Sequence, residues 1–271
     1  MYLTRPCGNR NTKDNPQGIC LWVVFCYFYG RNRYEQPDSY FGCRGGVLPA
    51  HRLPAADAGG AVRCLARELS PAADEGFAGD RQTFRLFTFG PLEGRYRVQG
   101  NEITFTGLVQ LEVRSPVEDL LYALGKSLTG AGALRLGRCV LPLRDLRSED
   151  HYWFAAPLPV RMVSPLTLHK SLPGGKTLFL RPDDDAFAAQ LIANTAHKLA
   201  ACRSTADPSV TLRPMGTRLP RKRVTQFKGI YLTGWEGDFL LDGDPETLCL
   251  LYQTGLGDRN SQGFGMFRML L

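Results

Sequence analysis

The stretch Gly255-Leu256-Gly257-Asp258-Arg259-Asn260-Ser261-Gln262-Gly263-Phe264-Gly265 carries four glycines in eleven residues. Glycine at that density lets backbone N–H groups approach an anion and permits turns with positive φ. It is not a dinucleotide fingerprint: Asn260 stands where the third glycine is required, and the stretch follows a helical pattern instead of opening one. It contains no G-K-[ST], so it is not a nucleotide-triphosphate loop either. Two readings remain, a tight helix-to-strand connection and a loop that meets an RNA backbone. The polar run 258–262 favours the second, with Gly255, Gly257, Arg259, Asn260, Ser261, Gly263 and Gly265 as the contacting residues.

A second segment has the chemistry of polyanion binding. Arg213, Arg218, Arg221, Lys222, Arg223 and Lys228 fall within sixteen residues that contain no acid, and Phe227 and Tyr231 are interleaved with them. Cations of this density neutralise phosphates, and the aromatic rings offer faces on which bases stack. The whole chain agrees, since 33 Lys+Arg against 26 Asp+Glu leave a formal charge of +7, a balance that favours an anionic partner. Such a run is also compatible with a solvated basic hairpin. Its coupling to the glycine-rich tail favours the binding role.

Proton-transfer groups are sparse. Of the four histidines, His51 lies in Leu48-Pro49-Ala50-His51-Arg52 ahead of the first helical pattern, where a loop at a domain mouth is a reasonable catalytic position. Arg52 and Arg63 are near it and could stabilise negative charge. His151 precedes Tyr152-Trp153-Phe154, His169 and Lys170 share a loop pattern from which they could touch phosphate, and His197 falls near a helix end where a cation is welcome whatever the function. The eight cysteines include no C-x-x-C pair and offer no metal-ligand spacing with the histidines. They read as reduced thiols of a cytoplasmic protein, and no metal or cofactor is expected.

The elements that must hold these groups come in two sets. With 271 residues the chain is about 1.8 domain lengths, and 44% hydrophobic residues exclude a disordered chain. Residues 1–46 stand apart, holding half of the cysteines and half of the tyrosines around the apolar run Ile19–Tyr29. That run is too short to span a membrane. It is rich in aromatic and β-branched residues and lacks a small-x-small cleavage site, so it reads as a buried strand and not as an export signal. Residues 1–46 are thus an extension that supplies a first strand, or lie ahead of the true start.

A first domain over 47–145 is expected to contain a helix at Ala55–Leu69 and a strand at Thr83–Phe89. Two or three strands follow within Arg95–Leu111, broken at Gly100-Asn101 and Gly107, and Ser115 caps a helix with Pro116 and Glu118 beside it. Val117, Leu120, Leu121, Leu124 and Leu128 make that helix's apolar stripe, and Leu134–Leu143 closes the unit. A second domain over 150–271 has strands at Tyr152–Val163 and Thr177–Leu180, then a helix from Asp183 with Phe187, Leu191, Ile192, Thr195 and Leu199 on one face. Extended segments at Val210–Arg213 and Val224–Leu232, a helix begun by Asp244-Pro245 and ended by Gly255, and a strand at Phe264–Leu271 complete it. Both units therefore read as ferredoxin-like α+β folds (βαββαβ), with helices on one face of an antiparallel sheet.

At this point the tail, followed by Met266-Phe267-Arg268, resembles the C-terminal glycine-rich signature of the CRISPR-associated repeat-processing endoribonucleases, the sixth of the Cas families, within the repeat-associated RNA-binding superfamily. Asp74-Glu75-Gly76-Phe77 followed by Phe84-Arg85-Leu86-Phe87-Thr88-Phe89 resembles the family's stretch after its first helix. Arg114-Ser115-Pro116 and Val163-Ser164-Pro165 resemble its two Ser-Pro junctions, and Asn194 and Lys198 sit in the expected helix. The resemblance runs from Val47 to Leu271 and implies two ferredoxin-like domains. It also implies metal-independent cleavage of CRISPR repeat RNA: a general base helps the 2′-hydroxyl attack the neighbouring phosphate, leaving a 2′,3′-cyclic phosphate and a 5′-hydroxyl.

The family's usual histidine is absent, because its position reads Ala72-Ala73. His51 is the nearest replacement as base, with Arg52 or Arg63 opposite the phosphorane charge. The missing histidine is the feature that favours the second reading, a binding subunit that has lost cleavage and works beside other CRISPR-associated proteins in an interference complex. An unrelated protein with tandem RNA-binding folds is the third reading. The expected partner is CRISPR repeat RNA, with no membrane and no DNA.

Overall fold

The structure is a computed structural model that describes residues 19–27, 53–54, 77–78, 83–84, 86–99, 102–136, 139–150, 156–216, 219–227 and 230–270. The helix expected at Ala55–Leu69 lies outside them.

The long strands of the first antiparallel sheet are β1 (Ile19–Tyr27), β2 (Glu93–Gln99), β3 (Glu102–Ser115), β4 (Ala133–Leu136) and β5 (Cys139–Asp150), with β3 paired to β2 and β1, β1 to β5 and β5 to β4. The two-residue strands Leu53–Pro54 and Thr88–Phe89 also pair with β3. Strand β1 occupies the centre, paired along its length with β3 on one side and β5 on the other. The helix α1 (Glu118–Ala131) connects β3 to β4 and buries Leu120, Leu121, Leu124 and Leu128. They join Phe87, Phe89, Val109, Leu111, Val113, Leu134 and Leu141 in one core, where full burial of each leucine contributes about 1.5–3 kcal/mol.

Several local expectations change. Gly107 does not end a strand. Its φ of 81° sits in a bulge, because the register moves from Arg95↔Thr106 to Gly94↔Val109 and leaves Gly107 and Leu108 extra on β3. Ser115 is not the cap of α1: its Oγ accepts the Val117 N–H at 3.0 Å and donates to the Leu86 carbonyl at 2.7 Å, while Val117 precedes the helix. The expected strand at Thr83–Phe89 is two short bridges, Thr83–Phe84 and Thr88–Phe89. Residues Leu86 to Phe89 are consecutively buried, so no solvent face is left to sustain an alternating strand. Leu134–Leu143 is a hairpin, β4 to β5, with Ala133 opposite Pro142.

The second sheet repeats the topology. β6 (Leu158–Met162), β9 (Val210–Pro214), β12 (Asp238–Gly243) and β13 (Phe267–Met269) pair in the order β9-β12-β6-β13. The helices α2 (Asp185–Ala201) and α3 (Pro245–Thr254) complete a βαββαβ unit. Phe187, Leu191, Leu248 and Leu251 bury against Val160, Phe239, Leu241 and Phe267. Asp244 caps α3, accepting the Glu246 and Thr247 N–H groups. Two hairpins are inserted: β7 (His169–Ser171) with β8 (Thr177–Phe179), and β10 (Arg221–Phe227) with β11 (Ile230–Glu236). The extended segment expected at Val224–Leu232 is thus the second hairpin's turn and flanks, closed with Phe227 opposite Ile230.

The two units are locked by a buried charge network. Arg114 of β3 is fully buried, with Nε 2.6 Å from Glu112 Oε1 and Nη1 donating to the Phe267 carbonyl at 2.7 Å. Its guanidinium lies 3.7 Å from the centre of the Tyr252 ring. Arg268 of β13 reaches Glu112 Oε2 at 2.8 Å and Glu93 Oε1 at 2.7 Å. A buried charge is tolerated only with such partners, so the network fixes how β13, and the tail leading into it, meet the first sheet.

Candidate RNA-binding site

Helix α3 ends where Gly255 turns with φ 83° and returns its N–H to the Leu251 carbonyl. The tail then folds back on itself: Leu256 N–H donates to Gly265 O at 2.8 Å, and Gly265 N–H donates to Pro165 O at 3.0 Å. A side chain at Gly265 would overlap the Leu256 carbonyl oxygen, and one at Gly257 the Thr167 carbonyl oxygen. Both also have positive φ, so glycine is required twice over. The two Ser-Pro junctions serve this packing. Ser115 Oγ ties β3 to Leu86, and Ser164 Oγ accepts the Met266 N–H at 2.9 Å. Thr88 Oγ1 reaches the Phe264 carbonyl at 3.4 Å from the first unit.

The centre of the tail is Lys198. It projects from α2, is buried, and donates to Gly255 O at 2.7 Å, Gly257 O at 3.0 Å and Asn260 Oδ1 at 2.7 Å. Asn260 Nδ2 in turn donates to Leu256 O and Phe264 O, both at 3.0 Å. Burial pushes the Lys198 ammonium down to about 7, against the pull of the Asp258 carboxylate. One turn earlier, Asn194 Nδ2 holds Asp258 Oδ1 at 2.9 Å.

Replacing Lys198 by Met leaves three buried acceptors without their donor, each worth about 1–3 kcal/mol, partly offset by relief of the buried charge. We expect a net loss of about 2–4 kcal/mol in stability. The loss should grow with pH. An unfolded lysine titrates near 10.5 and the folded one near 7, so between these values the unfolded chain holds the extra proton and the wild type gains stability as pH rises, by at most about 1.4 kcal/mol per pH unit. Thermal unfolding of both proteins at pH 7 and pH 9.5 checks this; equal melting temperatures would contradict the role given to Lys198.

The inner and outer parts of the tail therefore differ. Gly255, Gly257, Gly265 and Asn260 are buried and spend their polar groups internally, whereas Arg259, Ser261 and Gly263 are half-buried at the rim. Arg259 has φ 59°, and its buried Nε has no hydrogen-bond partner among the described residues. On the rim of β7, His169 Nδ1 lies 2.6 Å from Asp258 Oδ2, and the His169 backbone N–H donates to the same oxygen at 2.9 Å.

The basic hairpin stands beside the tail. Phe179 of β8 packs with Leu232 of β11 and with Phe264, and Thr167 Oγ1 donates to the Thr233 carbonyl at 2.8 Å. Arg213, Arg221, Lys222 and Arg223 are exposed, as are Val224, Ile230 and Tyr231. Arg223 is paired with Glu236 at 2.8 Å, and the other three cations face solvent. His51, Arg52, Arg63, His151, Arg218 and Lys228 lie outside the described residues. Among the described residues no group of three or more His, Cys, Asp or Glu side chains could hold a metal ion, and no helix is long and apolar enough to cross a membrane.

The sequence puts Lys198 in the expected helix and His169 in a loop pattern, and names neither a partner for Lys198 nor one for His169. The signal for Lys198 was its spacing from Leu191, Asn194 and Thr195, which puts it on the helix's inward face. Nothing local in sequence pairs His169 with Asp258, 89 residues away.

Two ferredoxin-like units joined through a glycine-rich tail are an arrangement that solved structures share. A Cas6-related protein from Pyrococcus furiosus superposes with a TM-score of 0.72 at 12% identity, covering 93% of this chain and 98% of its own. A CRISPR-associated protein Cas6 gives 0.70 at 20% identity, covering 94% and 99%. A RAMP protein that binds different RNA substrates gives 0.72 at 15% identity, covering 94% and 100%. Residues 154–269 match the family of the CRISPR-associated protein Cas6 C-terminal region. CRISPR-associated endoribonuclease Cas6 1 of Methanocaldococcus jannaschii is 28% identical over 197 residues, which is 68% of this chain and 74% of that protein. The likeness to Cas6 therefore rests on the second unit, where the family match falls together with the tail and the second Ser-Pro junction, and on a relative aligned over two thirds of the chain.

Proposed function

We propose that this protein binds CRISPR repeat RNA and cuts precursor transcripts into guide RNAs without a metal, by attack of a 2′-hydroxyl on the adjacent phosphate. The observation that carries the reading is the exposed basic hairpin seated against the glycine-rich tail of a Cas6-type domain. Arg213, Arg221, Lys222 and Arg223, with Arg218 and Lys228 from the same stretch, grip the repeat stem through its phosphates, and Tyr231 offers a stacking face. The tail meets the RNA backbone at its rim through Arg259, Ser261 and Gly263. Gly255, Gly257, Asn260 and Gly265 support the rim from within. His51 removes the 2′-hydroxyl proton, and Arg52 or Arg63 stabilises the phosphorane. The protein acts in the cytoplasm.

Replacing Arg221, Lys222 and Arg223 together by Ala should weaken binding to a repeat hairpin and flatten its salt dependence, with the log–log slope falling by up to about 0.9 per lost phosphate contact. An unchanged affinity and slope would remove the hairpin from the interface. A second reading, a repeat-binding subunit of an interference complex that does not cut, is favoured by Ala72-Ala73 at the usual histidine position. Retained binding with no product in the unmutated protein would select it.

A further inference from the structure

Cleavage by 2′-hydroxyl attack needs two proton transfers, and the base accounts for only one. As the O2′–P bond forms and the P–O5′ bond breaks, the departing 5′-oxygen must acquire a proton. Resting on the cleavage reading above, we propose that His169 is the general acid, giving the proton on Nε2 to that oxygen while the 2′-hydroxyl proton passes to the base.

The Asp258 carboxylate is held from two directions before the imidazole is considered. Asn194 Nδ2 donates to one oxygen and the His169 backbone N–H to the other, both at 2.9 Å, and the Asp258 N–H is tied to the Thr167 carbonyl at 2.8 Å. A residue needed only to clamp the tail would require nothing more than its backbone N–H. Position 169 adds an imidazole whose Nδ1 lies 2.6 Å from Asp258 Oδ2, in contact with it though not in an aligned hydrogen bond. Because the two ring nitrogens lie on opposite sides of the imidazole, Nε2 points away from the carboxylate. The side chain is 29% exposed, which leaves that nitrogen open to a ligand. A carboxylate behind one nitrogen is the arrangement that orients a histidine for proton transfer at the other.

The surroundings suit a phosphodiester. Lys170 and Lys176 are exposed on the same hairpin, and no acid occurs from 169 to 182. Arg259, next to Asp258, carries the buried Nε that lacks an acceptor among the described residues. Phe179, with its ring centre 6.2 Å from that of His169, backs the imidazole with an apolar wall that runs to Leu232 of the basic hairpin. The dyad is therefore built on the tail that both units share and beside the element proposed to hold the stem.

The test compares two substrates, the repeat RNA with its ordinary 5′-oxygen at the cut and the same RNA with sulfur in place of that oxygen, since a thiolate departs without a proton. His169→Ala should slow cleavage of the ordinary RNA by about 10²-fold or more and cut the sulfur-bridged RNA at close to the wild-type rate. Using one protein preparation on both substrates cancels any loss of folded fraction. An equal loss on both substrates, or full activity on the ordinary RNA, would overturn the assignment. If the wild-type protein cuts neither substrate, the cleavage reading fails first and takes the acid with it; if it cuts both and only the His169 result disagrees, the acid alone is wrong.

Discussion

A chain lacking Met1–Gly46 is expected to lose the cooperative unfolding of its first domain and its grip on RNA. The reason is the position of β1. It makes nine ladder pairs with β3 and seven with β5, so its removal leaves both long strands with an unpaired edge in the middle of the sheet. An antiparallel unit opened at its centre exposes the backbone groups of two strands and the apolar face beneath α1. The damage would spread, because β3 also carries Glu112 and Arg114, whose buried network holds Phe267 and Arg268 of the second unit. Thermal unfolding and limited proteolysis of the truncated and full chains measure this. A truncated protein with the same melting temperature and the same affinity for a repeat hairpin would show that the strand is dispensable.

His51→Ala is expected to leave repeat binding intact and to slow cleavage by about 10²–10⁴-fold, the usual consequence of removing a positioned base. The chemistry requires some group to take the 2′-hydroxyl proton. The position the family ordinarily uses is occupied by Ala73, and His51 is the one histidine of the first unit. The other three belong to the segment from 151 onward, where His169 is proposed as the acid on the leaving-group side and His197 lies on α2. Single-turnover cleavage with saturating protein separates this loss from any change in affinity. Full activity in the variant would shift the account to positioning of the 2′-hydroxyl by Arg52 or Arg63 without a dedicated base.

What the sequence disclosed and what it hid follow from the range of the interactions concerned. The leucine stripe of α1, the cap at Asp244-Pro245 and the αβ order of the second unit are written in near-neighbour spacing, and each appears in the fold. The strand β12 went unread because Phe239-Leu240-Leu241 is a short apolar run, alternating only in its burial. The tail was read as a loop open to phosphate because glycine content reports conformational freedom and says nothing of what fills the space beside it. That space is filled by Lys198 from 57 residues away, together with the carbonyl oxygens of Pro165 and Thr167. The pairing of His169 with Asp258 is long-range in the same way. Contacts made across two layers of a sheet leave no periodic trace in either segment.

The most direct test of the account is to incubate the purified full-length chain with its own repeat RNA in excess EDTA and to analyse the ends of the products. The account predicts one cut within the repeat, a 2′,3′-cyclic phosphate on the upstream fragment and a 5′-hydroxyl on the downstream one, at a rate unaffected by the chelator. Products that appear only with added divalent metal, or that carry a 5′-phosphate, would contradict it.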